Sequence, residues 1–248
     1  MPPGVTIAVP SFNQADYLDE ALRSIFAQDV PCEVYVMDGG STDGSVDLIR
    51  SWSPRLAGWR SAPDGGQSAA INNGIASGRA PYVTWLNSDD FLLEGALSRL
   101  IGRLEDLPAA PFCHGRTWDQ DETSGRRKST WVEPVSEARL ALRCVVSQPG
   151  TLVRRSAWEA LGGLDPGLQM AMDYDLWWRL WRRFGAPAFL DEFVAVNRVH
   201  ALTKTSTRRR EHYREAMEVV RRHHGRVPLK WWLAQPLQVW IRSRFREL

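Results

Sequence analysis

Tyr82-Val83-Thr84-Trp85-Leu86-Asn87-Ser88-Asp89-Asp90 is the stretch that decides the fold. Its first five residues are β-branched, aromatic or aliphatic, the composition of a buried strand. Asn87-Ser88-Asp89-Asp90 then ends the run abruptly. Working outward, the same grammar recurs. Val5-Thr6-Ile7-Ala8-Val9 is a short strand ended by Pro10, and Ala15 to Gln28 follows with Leu18, Ala21, Leu22, Ile25 and Phe26 at helical spacing. Cys32–Met37 is a second strand, broken by Asp38-Gly39-Gly40, and Ser41 can cap a helix from Thr42 to Ser51. A strand at Trp59–Ala62, a helix from Gln67 to Ser77 stopped by Gly78, and a helix from Gly95 to Leu104 complete the first hundred residues. Alternating strands and helices predict an α/β fold with a mostly parallel central sheet flanked by helices. In such sheets ligands bind beyond the carboxyl ends of the strands. Ser11-Phe12-Asn13, Asp38, Asp64 and Asn87–Asp90 all come directly after predicted strands.

The second half is less regular. Phe112–Trp118 and Lys128–Val132 are expected to pair around Ser124-Gly125, and Thr151–Arg154 to form another strand. Short strands are expected at Ala188–Leu190 and Phe193–Val199. Helices are expected at Ser156–Leu161, Tyr174–Phe184, Glu211–His224 and Trp231–Phe245. The 248 residues suit one large domain with an appendage. The division expected is a domain over residues 1–207 and a basic, Trp-rich helical extension over 208–248. That extension holds 11 Lys/Arg against 4 Asp/Glu, a net of +7, whereas residues 1–207 carry a net of −5. Such asymmetry suggests an anionic neighbour for the extension.

Cys32, Cys113 and Cys144 form no CxxC or Cys/His zinc pattern and read as reduced thiols. Val5–Val9 already reads as a strand, so no leader peptide is expected at the N-terminus. No apolar run approaches the roughly 20 residues that span a bilayer. The expected location is cytoplasmic, with peripheral contact at the inner face of the membrane through the extension. Neither a GxGxxG nor a GxxxxGK[ST] loop is present, so neither a dinucleotide site nor a P-loop is indicated.

Four clusters could carry chemistry. Asp89 and Asp90 close a buried strand, where charge is costly unless paired or bound to metal. Hard oxygen ligands there suit Mg²⁺ or Mn²⁺; capping of the following helix is the plainer alternative. Asp38 precedes Gly39-Gly40-Ser41-Thr42-Asp43-Gly44 and could hold a base or ribose, or simply build a turn. Asp173 precedes an amphipathic helix and could be an N-cap or a general base. Asp173 and Asp175 are two apart and cannot share a helix face, so one can reach a cleft while the other stays structural. His200 closes a predicted strand.

In order and spacing these clusters resemble the family-2 inverting glycosyltransferases of the GT-A fold, over about residues 4–206. The carriers are Pro10-Ser11-Phe12-Asn13, Asp38–Ser45, Asp64-Gly65-Gly66-Gln67 with Ala70-Ile71-Asn72, Asn87-Ser88-Asp89-Asp90, Gly162-Gly163-Leu164-Asp165, Asp173-Tyr174-Asp175-Leu176-Trp177 and His200. The resemblance implies that Pro10, Phe12 and Asn13 line a nucleotide pocket, that Asp38 holds the base, and that Asp64 holds the base or ribose edge. Asn87-Ser88-Asp89 stands at the family's Asp-x-Asp position, with Asn87 and Ser88 beside the nucleotide sugar. Asp89 would bind a divalent metal, Mn²⁺ or Mg²⁺, with Asp90 as helper or competitor and His200 as a further ligand. Asp173 falls where the family places its base. Three departures stand out: Asn87 replaces the first Asp, Met172 replaces the acidic neighbour of Asp173, and Ala69 and Asn73 replace an Asp and a Lys.

The expected reaction is inverting transfer of a sugar from a nucleoside diphosphate sugar, a UDP-sugar before others, to a carbohydrate or lipid-linked acceptor in polysaccharide or glycolipid synthesis. Acceptor contacts are expected from the irregular region 113–149. Two other readings compete: a sugar nucleotidyltransferase, which would show a Gly-rich basic loop where Pro10–Gln14 has none, and a non-catalytic nucleotide-sugar-binding protein. No nucleic-acid motif is present. Trp177 and Trp181 share a helix face and are expected in the core. Trp178, about 100° round, is open to packing or to an acceptor groove. Trp231, Trp232, Trp240 and Phe245 alternate with Lys230, Arg242, Arg244 and Arg246, a pattern suited to a membrane interface or to packing on the domain.

Overall fold

Why these residues form a sheet covered on both faces follows from the burial of the first strand. In β1 (Val5–Ser11) every residue is buried. Val5, Ile7 and Val9 point to one core and Ala8 to the other, as the two-residue repeat of a strand requires. The computed structural model describes residues 4–201 and 203–236. β1 lies between β2 (Cys32–Asp38) and β4 (Tyr82–Trp85), and β3 (Gly58–Ser61) flanks β2, all parallel. Residues 91–199 add β5 (Phe91–Leu92), β6 (Phe112–Asp121), β7 (Arg127–Ser129), β8 (Thr151–Arg154) and β9 (Ala188–Val199). Among the described residues the sheet has nine strands in the order β3-β2-β1-β4-β8-β6-β9-β5, with β7 on β6. The sheet is mixed: β8 runs antiparallel to both β4 and β6, while β6 and β9 pair in parallel.

On one face α1 (Ala15–Phe26), α2 (Ser45–Trp52) and α4 (Ala96–Glu105) bury Leu18, Leu22, Ile25, Ile49, Leu97 and Leu100 in one core with side chains of β1, β2, β6, β8 and β9. On the other lie α3 (Gln67–Ser77), α5 (Glu137–Leu142), α6 (Arg155–Ala160) and α7 (Met172–Phe184). Gly74 lets α3 approach β1 closely; a Cβ there would sit 2.7 Å from the Ala8 Cβ. Trp177 stacks on Trp85 and Phe112 beneath α7. A short α8 (Lys204–Thr207) leads into α9 (Arg209–His224), whose Ala216, Val219 and Val220 join the same core. α10 (Leu229–Pro236) follows.

Several local expectations change. α2 starts at Ser45, not Thr42: the Ser41 hydroxyl donates to the Asp38 carboxylate at 2.5 Å and accepts from Asn13 N–H at 2.8 Å, and a left-handed Gly44 takes the N-cap. The two short strands expected near residues 188 and 193 are one strand. Its pairing jumps from Gly115–Leu190 to Arg116–Phe193, so the polar Asp191-Glu192 loops out as a bulge and pairing resumes. Trp178 is not available to an acceptor groove. It is fully buried, stacked on His223 of α9. The three cysteines are free, and burial pushes the Cys113 thiol up to about 12. Of the helix expected over Trp231–Phe245, Trp240, Arg242, Arg244, Phe245 and Arg246 lie outside the described residues. No helix among the described residues is long and apolar enough to cross a membrane.

Candidate active site

The carboxyl ends of β1, β2 and β4 open onto a cleft of about 660 Å³. Its mouth is formed by Phe12, 60% exposed, whose ring edges Gly39. Pro10, Pro63 and Asp64 line the same side. The Asp64 carboxylate accepts from Gly66 N–H at 2.8 Å. Gly66 has a φ of 105°, which opens the turn into α3 without a side chain. Asn13 and Asp38 sit differently. Asn13 accepts from Thr42 N–H at 2.9 Å, and its own N–H donates to Ser41 Oγ at 2.8 Å. The buried Asp38 carboxylate accepts from Gly40 N–H, Ser41 N–H, Ser41 Oγ–H and Ser61 Oγ–H. Burial would raise the Asp38 pKa, and these bonds outweigh it and hold the carboxyl below the usual range. Both residues therefore build the loop behind the pocket.

The floor is a chain of amides. Lys204 Nζ donates to Gln67 Oε1 at 3.2 Å, Gln67 Nε2 to Asn87 Oδ1 at 2.8 Å, and Asn87 Nδ2 to Gln148 Oε1 at 3.2 Å. Gln148 Nε2 donates in turn to Trp85 O at 2.7 Å. Ser88 lines the cleft beside them. Gln148 is the residue of region 113–149 that reaches the cleft. Lys204 makes no ion pair among the described residues, and burial lowers its pKa. Glu215 and Glu211 act on it only from a distance, and a partly buried ammonium with no direct ion pair facing a cleft suits an anionic ligand.

Asp89 and His200 meet at one end. His200 Nε2 lies 3.1 Å from Asp89 Oδ2, and its ring packs on Tyr17. Asp89 lines the cleft, while His200 is 7% exposed behind it. Adjacent ligands of an octahedral ion at 2.0–2.1 Å stand about 3 Å apart, so this oxygen and nitrogen fit two neighbouring corners of a Mn²⁺ or Mg²⁺ shell. Asp90 turns away. Its oxygens accept from Arg198 N–H at 3.0 Å and Asn87 Nδ2–H at 3.2 Å. Burial, and then the Asp89 charge, hold its carboxyl well above the usual range. No group of three or more His, Cys, Asp or Glu suited to a metal occurs among the described residues. The pair would thus leave the other positions to ligand oxygens and water.

The start of α7 also lines the cleft. Asp173 lines the cleft, and its Oδ1 accepts from Tyr174 N–H at 2.8 Å. Burial raises its pKa, opposed by that bond and by the His212 charge. Asp175 is 1% exposed and points away, tied to Arg179 at 2.6 Å, His223 at 2.8 Å and Arg222 at 3.3 Å. Carboxylates two apart thus divide between cleft and core.

Pro10, Phe12, Asp64, Asn87, Ser88, Asp89 and Asp173 therefore share one cleft, His200 touches it through Asp89, and Asn13 and Asp38 support it. Sequence reading did not single out Lys204, Gln148, Gln169 or Met170, which also line it. The profile of glycosyl transferase family 2 matches residues 6–159. An uncharacterized glycosyltransferase of Rickettsia prowazekii (strain Madrid E) is 26% identical over 215 residues, 83% of this chain and 67% of the relative. Among solved structures, S. aureus TarS 1-349 in complex with UDP-GlcNAc matches with a TM-score of 0.72 at 18% identity, over 90% of this chain and 66% of that one. The mannosyltransferase PcManGT from Pyrobaculum calidifontis, in complex with GDP-Man and Mn²⁺, matches with a TM-score of 0.66 at 20% identity, over 88% and 65%. These two structures bear on the fold, and this chain spans about two thirds of their length.

Proposed function

The chain belongs to glycosyl transferase family 2, and from that premise we propose that it moves a sugar from a nucleoside diphosphate sugar to an acceptor hydroxyl with inversion. One observation carries the reading: Asp173 lines the same cleft as Asp89, which has His200 behind it. Phe12, Gly39 and Asp64 offer a slot for the base and ribose at the mouth, backed by the loop that Asp38 and Asn13 tie together. Lys204 lies where the diphosphate would extend, and Gln67, Asn87 and Gln148 present amides to sugar hydroxyls. Asp89 and His200 would hold Mn²⁺ or Mg²⁺, which when bound supplies Lewis-acid neutralisation of a diphosphate. The acceptor oxygen attacks the anomeric carbon, the bond from that carbon to the diphosphate oxygen breaks, and the acceptor proton passes to the Asp173 carboxylate. One displacement with one base inverts the anomeric centre.

The UDP-GlcNAc of TarS and the GDP-Man and Mn²⁺ of PcManGT support a nucleotide-sugar donor and a divalent ion for this chain. A UDP-sugar is the donor we favour, with a carbohydrate or lipid-linked acceptor in polysaccharide or glycolipid synthesis. A thermal-shift panel of UDP-, GDP- and dTDP-sugars with and without Mn²⁺ tests this. A ligand at 100 times its Kd adds about 2.7 kcal/mol, which is about 5–10 °C for a domain of this size. One sugar nucleotide is expected to give such a shift, larger with Mn²⁺; a flat panel would overturn the reading.

We further propose residues 1–207 as the catalytic domain and 208–248 as an extension that meets the inner face of an anionic membrane. Trp231 holds α10 to the body, its indole N–H donating to Ala141 O at 2.8 Å. On the free side Leu229 and Leu233 are each 70% exposed and Trp232 55%, beside Lys230. Apolar residues flanked by basic ones suit a lipid interface. In flotation with vesicles containing anionic phospholipid, the full chain is expected to float and the triple variant Leu229→Ser, Trp232→Ser, Leu233→Ser to remain in solution. Equal partitioning of the two would end the membrane assignment.

A further inference from the structure

Asp173 stands at the second position of α7, so its aim depends on how the start of that helix is held. Ala171, at the N-cap, offers no side-chain cap, and the first N–H groups of a helix need partners from elsewhere. They come from α9. The Glu215 carboxylate accepts three successive backbone N–H groups: Gln169 at 3.1 Å, Met170 at 2.7 Å and Ala171 at 3.1 Å. Bonds to an ionised acceptor are roughly twice as strong as neutral ones, and a negative charge beside a helix N-terminus is favoured by the helix dipole. The support behind Glu215 is firm by other means. Ala216, Val219 and Val220 are buried in the core, and one turn from the end of α9 Arg222 and His223 grip the buried Asp175. Gln169, Met170, Met172 and Asp173 all line the cleft, so the clamped segment and the cleft wall are one piece of chain.

We propose that Glu215 is a positioning residue for the transfer: it fixes residues 169–171 and through them aims the Asp173 carboxylate at the acceptor. The inference rests on Asp173 being the base. It also gives the C-terminal helices a part in turnover, since the group that sets the wall belongs to α9.

A displacement of about 1 Å by a remote mutation can cost about 10²-fold in rate. Glu215→Gln keeps the shape and one acceptor oxygen but removes the charge that strengthens the three bonds, and Glu215→Asp keeps the charge while drawing it back by one methylene. Turnover is read as nucleoside diphosphate released from the sugar nucleotide that gives the largest thermal shift, with water as acceptor. Both variants are expected to lose about 10- to 10²-fold in kcat; Glu215→Asp, which keeps the charge that acts on Lys204, is expected to leave the donor KM and the nucleotide-induced thermal shift unchanged. In the Asp173→Asn background Glu215→Gln is expected to cost nothing further, because its action runs through Asp173. Amide exchange over residues 169–172 is expected to quicken while α9 stays protected. A merely structural Glu215 would lower the melting temperature and cost the same factor in both backgrounds, and that result, or wild-type kcat in both Glu215 variants, overturns the proposal. Should Glu215→Gln fail to fold, Glu215→Asp alone decides by the same readouts. Full activity of Asp173→Asn would sink the base assignment and this inference together, whereas an inactive Asp173→Asn beside a normal Glu215→Gln would sink this inference alone.

Discussion

Asp173→Asn is expected to lower turnover about 10²- to 10⁴-fold, the usual worth of a positioned general base, while leaving donor binding intact. The amide keeps the side chain's shape, and its oxygen can still accept the Tyr174 N–H that the carboxylate accepts at 2.8 Å. What it removes is the proton acceptor. A loss of kcat without a change in donor KM marks an interaction made in the transition state. The raised pKa adds a second signature. Burial disfavours the ionised carboxyl in the folded chain, so the acid limb of the pH–rate profile should lie above the ordinary aspartate value of about 3.9. Below that limb the carboxyl is protonated and cannot take the acceptor's proton; above it the base is ready. The limb should vanish in Asp173→Asn. The stability sign is opposite to that of a salt-bridged carboxylate. A carboxyl whose folded pKa is raised destabilises the fold once pH exceeds the unfolded value, fully so above the folded one. The variant should therefore melt at or above the wild-type temperature near pH 7. Wild-type turnover in Asp173→Asn, with the acid limb unmoved, would remove Asp173 from the role.

The contrast between Asp173 and Asp175 shows how far sequence reading reaches. Spacing alone says that carboxylates two apart on a helix diverge. Only the fold says which one meets the cleft, because Asp175 is claimed by Arg222 and His223 from α9. The strands β1, β2 and β4 and the helix α3 were legible because their signals are local: apolar runs, fully buried in β1 and alternating in β2, and Gly66 and Gly78 bounding Gln67–Ser77. Local signals failed where distant groups compete for a side chain. Ser41 looks like a helix cap until Asn13 N–H, 28 residues earlier, takes its hydroxyl oxygen. The break at Asp191-Glu192 is real as a bulge, but β6 continues past it and makes one strand of two. Lys204, Gln148 and Glu215 have no motif around them, and each acquires its place through a partner far away in sequence: Gln67, Asn87, and the backbone of residues 169–171. The Asp89–His200 meeting was legible only through the resemblance, which supplied an order of motifs; no periodicity links residues so far apart.

Asp89→Asn and His200→Ala are each expected to abolish the part of the nucleotide thermal shift that depends on Mn²⁺, and to lower turnover by about 10²-fold or more. Lewis-acid assistance is worth several kcal/mol, and each 1.36 kcal/mol is a factor of ten. The rival explanation is that the pair is a structural ion pair closing the end of the cleft. The two cases differ in what else should change. In an ion pair, breaking one side lowers the melting temperature and leaves the nucleotide response indifferent to Mn²⁺ in wild type and variants alike. In a metal site, chelation of the wild type reproduces the variants, and Mn²⁺ paramagnetic resonance shows bound ion in the wild type that is absent from both. The surroundings favour the second outcome. Asp90, which would be the nearest competitor for the ion, has both oxygens engaged by Arg198 N–H and Asn87 Nδ2–H. Both residues border the cleft, but only Asp89 meets the His200 nitrogen, 3.1 Å from its Oδ2. Asn87 contributes no charge, so the anionic part of the site is a single carboxylate, and the Lys204 ammonium stands across the floor as a second positive group for a diphosphate. With that division of labour, chelated wild type should retain weak nucleoside diphosphate binding through Lys204 and the base slot while losing turnover. Turnover unaffected by chelation, in a protein that binds no Mn²⁺, would leave Asp89 and His200 with a structural role only.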